Sequence, residues 1–110
     1  MTQTMYDHIL DLLQAEGVDT LFGIPDPSFF GMFIEAERRG MRIISPHHEQ
    51  AAALTADGYF RMTGKPAVLC MNKGPGVANV MAGANFMMKE NVPAVFIMAN
   101  RQRFYEQKVR

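Results

Sequence analysis

With 110 residues, 48% of them apolar and 20% charged, the chain can bury one core and make one domain, and its composition excludes disorder. Eleven basic side chains balance eleven acidic ones, so neither capture of nucleic acid nor attraction to an anionic membrane is implied. One cysteine, Cys70, excludes an internal disulfide and makes a reducing, cytoplasmic compartment the expectation.

The first twenty residues carry Asp7, Asp11 and Glu16 and do not read as a signal peptide. Thr4 and Asp7 form a shortened capping box, and Met5, Ile9, Leu12 and Leu13 share one face of the helix that follows. Gly17 ends that helix. Thr20 to Ile24 read as a buried strand halted by Pro25. Asp26 is expected to cap a second helix, with Pro27 at its first position and Gly40 closing it. Met41 to Ser45 form a second strand, and Glu49 to Met62 a helix rich in small residues, stopped by Gly64-Lys65-Pro66. Ala67 to Met71 form a third strand. Gly74-Pro75-Gly76 turns that strand into a helix running to about Lys89, and Pro93 opens a fourth strand through Ala99. The Ala94 to Ala99 run is far too short to span a bilayer.

Strands joined by crossover helices imply an α/β domain with a parallel sheet between two helical layers, a flavodoxin-like arrangement. In such sheets ligands bind at the C-terminal ends of the strands. Those ends are Ile24-Pro25-Asp26, Pro46-His47-His48-Glu49, Asn72 to Gly76 and Asn100-Arg101-Gln102. Polar and conformationally special residues therefore collect on one rim. Glu49 is the focus of that rim. A carboxylate there is either a common helix N-terminal charge or a chemical group aimed into a cleft. Partial burial disfavours its charged form while the helix N-terminus stabilises it, and these opposing terms suit a proton shared with a ligand.

Other chemistries fit less well. His47 and His48 are adjacent, cannot readily face one metal, and have no carboxylate or cysteine at ligand spacing; packing or loop hydrogen bonding is their ordinary role. Gly74-x-Gly76-x-x-Asn79 approximates a dinucleotide fingerprint, but the next strand ends at Asn100-Arg101 and not on an acidic residue. Cys70 lies inside an apolar strand and reads as inert core. The ten methionines read mostly as adaptable core filler, and Phe29, Phe30 and Phe33 as core first and substrate wall second. Ala78, Ala82 and Gly83 form a small-residue stripe suited equally to a subunit contact or to packing within the chain.

Taken in order, Gly17-Val18-Asp19, Phe22-Gly23-Ile24-Pro25, His48-Glu49, Ala56-Asp57-Gly58-Tyr59, Arg61-x-Thr63-Gly64-Lys65-Pro66 and Gly74-Pro75-Gly76-x-x-Asn79 make a specific set. The chain resembles the N-terminal pyrimidine-binding domain of thiamine-diphosphate enzymes of the acetolactate synthase and 2-keto acid decarboxylase group, over roughly residues 5 to 100. The resemblance implies that Glu49 hydrogen-bonds the N1′ nitrogen of the cofactor's aminopyrimidine and favours the imino tautomer, which deprotonates the thiazolium carbon for attack on a keto carbonyl. It also implies cofactor-binding roles for Pro25, Asp26, His48, Gly74, Gly76 and Asn79, and an active site shared between chains.

Two departures bear on transfer. The Gly23-Ile24-Pro25-Asp26 form is similar to the branch acting on phosphono- or sulfopyruvate, whereas Gly74-Pro75-Gly76 and Arg61-Met62-Thr63-Gly64 are closer to acetolactate synthases. The family's G-D-G…N-N motif for Mg²⁺ and diphosphate is absent from the sequence. The expectation is a domain incomplete at its C-terminus, cut within Arg101 to Arg110, that needs a homo-oligomer or a partner chain to supply the diphosphate site. The activity expected is a C–C lyase or carboligase on a 2-keto acid. The alternative is a non-catalytic α/β remnant serving as an interaction subunit.

Overall fold

Residues 2–100 are described by a computed structural model of the chain. Its elements alternate as expected: α1 (Met5–Ala15), β1 (Thr20–Gly23), α2 (Phe30–Arg38), β2 (Arg42–Ile44), α3 (Glu49–Thr63), β3 (Ala67–Met71), α4 (Pro75–Lys89) and β4 (Ala94–Met98). All strand pairs are parallel, in the order β2-β1-β3-β4. The reversal of strand order falls between β1 and β3, so the crevice that such a sheet offers a ligand opens beside the ends of those two strands.

The pleat divides the core into two. Leu21, Val68 and Cys70 point to the side of α1 and α2, where they meet Leu10, Val18, Met32, Phe33 and Ala36. Phe22, Leu69 and Met71 point to the side of α3 and α4, against Ala52, Ala53, Ala56, Val80 and Met87. The result is the three-layer arrangement anticipated from the alternation of elements. Phe22 also meets Tyr59 edge-on, with ring centroids 5.3 Å apart.

Local chemistry accounts for the element starts. Thr4 Oγ1 accepts from the Asp7 N–H while the Asp7 carboxylate accepts from the Thr4 N–H, which is the predicted capping box. His48 caps α3 through Nδ1, which accepts from the Gln50 N–H at 3.1 Å, and Gly64 closes the helix in a left-handed conformation. Asp19 fixes the start of β1 to the end of α3 and the turn after it: its carboxylate accepts from Tyr59 Oη at 2.6 Å, from Thr20 Oγ1 at 2.9 Å and from the Lys65 ammonium.

Several expectations change. The second helix does not begin at Pro27 under an Asp26 cap. Instead Asp26 Oδ1 accepts from the Ser28 N–H and its carbonyl from the Phe29 N–H, closing a turn on itself, and the helix starts at Phe30. On α1 the buried line runs through Leu10 with Tyr6, Ile9 and Leu13 beside it, while Met5 and Leu12 are exposed. The hydrogen bond from Tyr6 Oη to the Ser28 carbonyl, at 3.1 Å, sets which side of α1 faces inward. The methionines divide: Met32, Met41, Met71 and Met87 are buried, but Met5, Met62, Met81, Met88 and Met98 are exposed. The small-residue stripe also splits, because Gly83 is buried against α3 within the chain while Ala78 and Ala82 face outward. The expectations for Arg101 to Arg110 fall outside the described residues.

α3 and α4 come so close at Gly83 that a Cβ there would collide with Ala53 Cβ. Gly83→Ala should therefore overpack the seam at a cost of about 1–3 kcal/mol, of which better helix propensity returns about 1. The urea midpoint should fall, whereas that of Gly58→Ala, where a Cβ meets open space on α3, should hold or rise.

The bonds from Lys65, then Tyr59 and Thr20, hold the Asp19 carboxyl well below its ordinary value of 3.8. A depressed folded-state pKa stabilises the fold above the unfolded value, and that contribution is lost as pH falls below it. Asp19→Asn should thus be less stable than the parent at pH 7. The gap should narrow progressively in thermal melts taken below pH 3.8.

Candidate functional site

The starts of α3 and α4 meet around Glu49, beside the end of β3. The residue occupies the first turn of α3 and is partly buried. Its Oε2 accepts a hydrogen bond from Asn79 Nδ2 on α4 at 3.0 Å. Its other oxygen, Oε1, faces the bare Cα of Gly76. A Cβ built on Gly76 would stand 3.5 Å from Oε1 and 3.3 Å from Asn72 Cβ. Glycine at this position lets the α4 backbone lie close to both Glu49 and Asn72. The two carboxylate oxygens thus differ: Oε2 takes the Asn79 bond and Oε1 is turned toward Gly76.

Asn72 adds a second acceptor. Among the described residues its Oδ1 is a buried side-chain oxygen without a hydrogen-bond partner, a condition that costs about 1–3 kcal/mol unless a donor reaches it. With Lys73, Gly74, Pro75 and Asn100 it also lines a cleft of about 370 Å³ at the ends of β3 and β4. Asn72 therefore stands both beside Gly76 and on the lining of that cleft. Sequence reading placed Asn72 on the rim but gave it no role. Its position two residues before Gly74, at a buried strand's end, was the available signal.

The other predicted residues lie around this center in different states. Gly74 is the N-cap of α4, has φ of +70°, and provides no side-chain cap, so the first N–H groups of α4 are not capped by the residue before them. Pro75 occupies the first helical turn, where its lack of an N–H is harmless. His48 directs Nδ1 to its own helix, and His47 is exposed. Asp26 Oδ1 is engaged with the Ser28 N–H. Pro25 borders a separate apolar groove of about 200 Å³ with Phe30, Phe33, Ile34, Glu37 and Ile43. Of the predicted set, Glu49, Gly76 and Asn79 are brought into direct proximity.

The residues fit an aminopyrimidine. Such a ring carries nitrogens and an amino group that a carboxyl group can meet by hydrogen bonds, and Glu49 Oε1 is the oxygen that Asn79 leaves available for one. Among the described residues no group of three His, Cys, Asp or Glu side chains could hold a metal ion. Among them, too, no helix is long and apolar enough to cross a membrane.

Residues 3–109 match the family described as thiamine pyrophosphate enzyme, N-terminal TPP binding domain. The chain is 38% identical over 96 residues to a "Probable 2-ketoarginine decarboxylase" of Pseudomonas aeruginosa, an alignment covering 87% of this chain and 17% of that protein. It is 36% identical over 92 residues to the acetolactate synthase of Bacillus subtilis, covering 84% of this chain and 16% of the synthase. The chain thus spans about a sixth of the length of these curated relatives. Among solved structures, a thiamine diphosphate-dependent 4-hydroxybenzoylformate decarboxylase of Rhodococcus jostii matches with a TM-score of 0.86 at 25% identity, covering 98% of this chain and 20% of that one. The benzoylformate decarboxylase of Polynucleobacter necessarius shares the fold with a TM-score of 0.87 at 18% identity, covering 99% of this chain and 20% of that one.

Cys70 stands outside the site. It lies in the middle of β3, and burial pushes its thiol up to about 12. It should not react with a thiol reagent such as 5,5′-dithiobis(2-nitrobenzoate) at pH 8 in the folded chain, and should react fully in urea. Rapid labelling without denaturant would contradict the placement.

Proposed function

The chain belongs to the thiamine pyrophosphate enzymes, as their N-terminal TPP-binding domain, and on that premise we propose that it forms the aminopyrimidine side of a site for C–C bond cleavage or carboligation on a 2-keto acid. The observation that supports the reading is the Glu49 carboxyl group at the start of α3, held at Oε2 by Asn79 and turned at Oε1 toward Gly76.

In this reading residues 1–110 form the N-terminal portion of the pyrimidine-binding domain. Glu49 Oε1 holds a proton and passes it to a ring nitrogen, acting as the acid–base group of cofactor activation. Gly76 lets the ring edge approach the backbone of α4, and Asn72 Oδ1 accepts from an amino group. Pro25, Asp26, His48 and Gly74 shape the surrounding rim, with Asn79 beside Glu49. Thiamine diphosphate, once bound, supplies the nucleophilic carbon and the electron sink that a 2-keto acid requires. Mg²⁺ and the diphosphate would be held by residues outside residues 1–110, in a further domain or a partner chain. The outward apolar side chains Met81, Phe86 and Met88 of α4 support such an assembly. A cytoplasmic setting accords with the single buried cysteine.

Glu49→Gln tests the reading in an assembly that binds the cofactor. Gln keeps the size and the acceptor for Asn79 but cannot exchange a proton as a carboxyl group does. A positioned acid–base group contributes ~10²–10⁴ in rate. Hydrogen–deuterium exchange at the thiazolium carbon should slow by about that range, while His47→Gln should change it far less. Exchange at the parental rate in Glu49→Gln would remove Glu49 from the role.

A further inference from the structure

We propose that Asn79 is a positioning residue for Glu49 and not itself a ligand of the cofactor. The inference rests on the reading of Glu49 given above, and it goes further by assigning the two carboxylate oxygens separate tasks.

Gly76, Asn79 and Gly83 lie three and four residues apart on α4, so they share one helix face. That face is turned toward α3: Gly83 meets Ala53, Gly76 meets Glu49 Oε1, and Asn79 Nδ2 reaches Glu49 Oε2. The spacing along the face places the donor on one oxygen and the gap at the other. The orientation of the amide follows from chemistry, because its carbonyl oxygen turned toward a carboxylate would set two acceptors together. Asn79 is suited to the task in being neutral. A lysine there would add a full charge against the carboxylate, and an aspartate would repel it.

Two consequences follow for Glu49. Its carboxylate plane is tied at Oε2, so Oε1 stays turned toward Gly76. With Oε2 occupied, Oε1 is the oxygen left to meet a ring nitrogen. The single donor leaves Oε1 available, which a bidentate partner would not.

The first test needs no cofactor. In the full chain, the side-chain amide ¹⁵N and ¹H signals of Asn79 should show one inflection in the acid pH range, as the carboxylate they bond takes up a proton. The inflection should vanish in Glu49→Gln. Flat Asn79 signals, or an inflection that persists without the carboxylate, would overturn the assignment. The second test uses the cofactor-binding assembly. Asn79→Ala removes one hydrogen bond from an exposed α4 position, and thiazolium exchange should slow by about tenfold. Cofactor affinity should stay within about twofold. If Glu49→Gln slows exchange but Asn79→Ala leaves the rate as in the parent, or weakens affinity as much as it slows exchange, the Asn79 assignment fails alone. If Glu49→Gln has no effect either, the reading beneath it fails as well.

Discussion

The close approach of α3 and α4 is the constraint on which the site depends. It exists because two glycines on one face of α4 have no side chain to hold the helices apart. At Gly83 the closeness serves packing, with Ala53 filling the place of a side chain. At Gly76, two turns earlier, it lays the α4 backbone beside Glu49 Oε1 and Asn72. Ala52, Ala53 and Ala56 continue the small-residue surface on α3, and all three are fully buried. One seam thus serves both stability and the placement of Glu49.

The sheet decides what the seam faces. In the order β2-β1-β3-β4, α3 crosses from β2 over β1 to reach β3, so its first turn starts on the side of the strands' C-terminal ends. α4 starts at the end of β3 on that same side. Two helix N-termini, each partially positive, therefore stand near one carboxylate. Asn79 adds a neutral donor to that setting. Nearby, among the described residues, Asn72 Oδ1 is a buried side-chain acceptor without a partner, a destabilising condition.

Much of this was legible in the sequence because its punctuation is local. The Thr4–Asp7 box, the glycine stops and the apolar β3 run each act within a few residues, and every helix and strand appeared where they indicated to within a few positions. The failures came where a distant contact decided. Asp26 carries cap chemistry, but it spends that chemistry on its own turn while Phe29 is drawn into the core. Met5 and Leu12 fit a helical period, yet Tyr6 and its bond to Ser28 turn α1 away from them. Gly76 and Glu49 were both named from motifs, but no local pattern told that Asn79 would bond Glu49 across 30 positions, or that Asn72 would be left unpaired.

A crystal structure of the chain in an assembly with bound thiamine diphosphate measures the central claim directly. The account predicts a pyrimidine ring edge over the Cα of Gly76, with a ring nitrogen about 3 Å from Glu49 Oε1 and Asn79 still on Oε2. A ring held by other groups, with the Glu49 carboxylate turned to solvent, would contradict it.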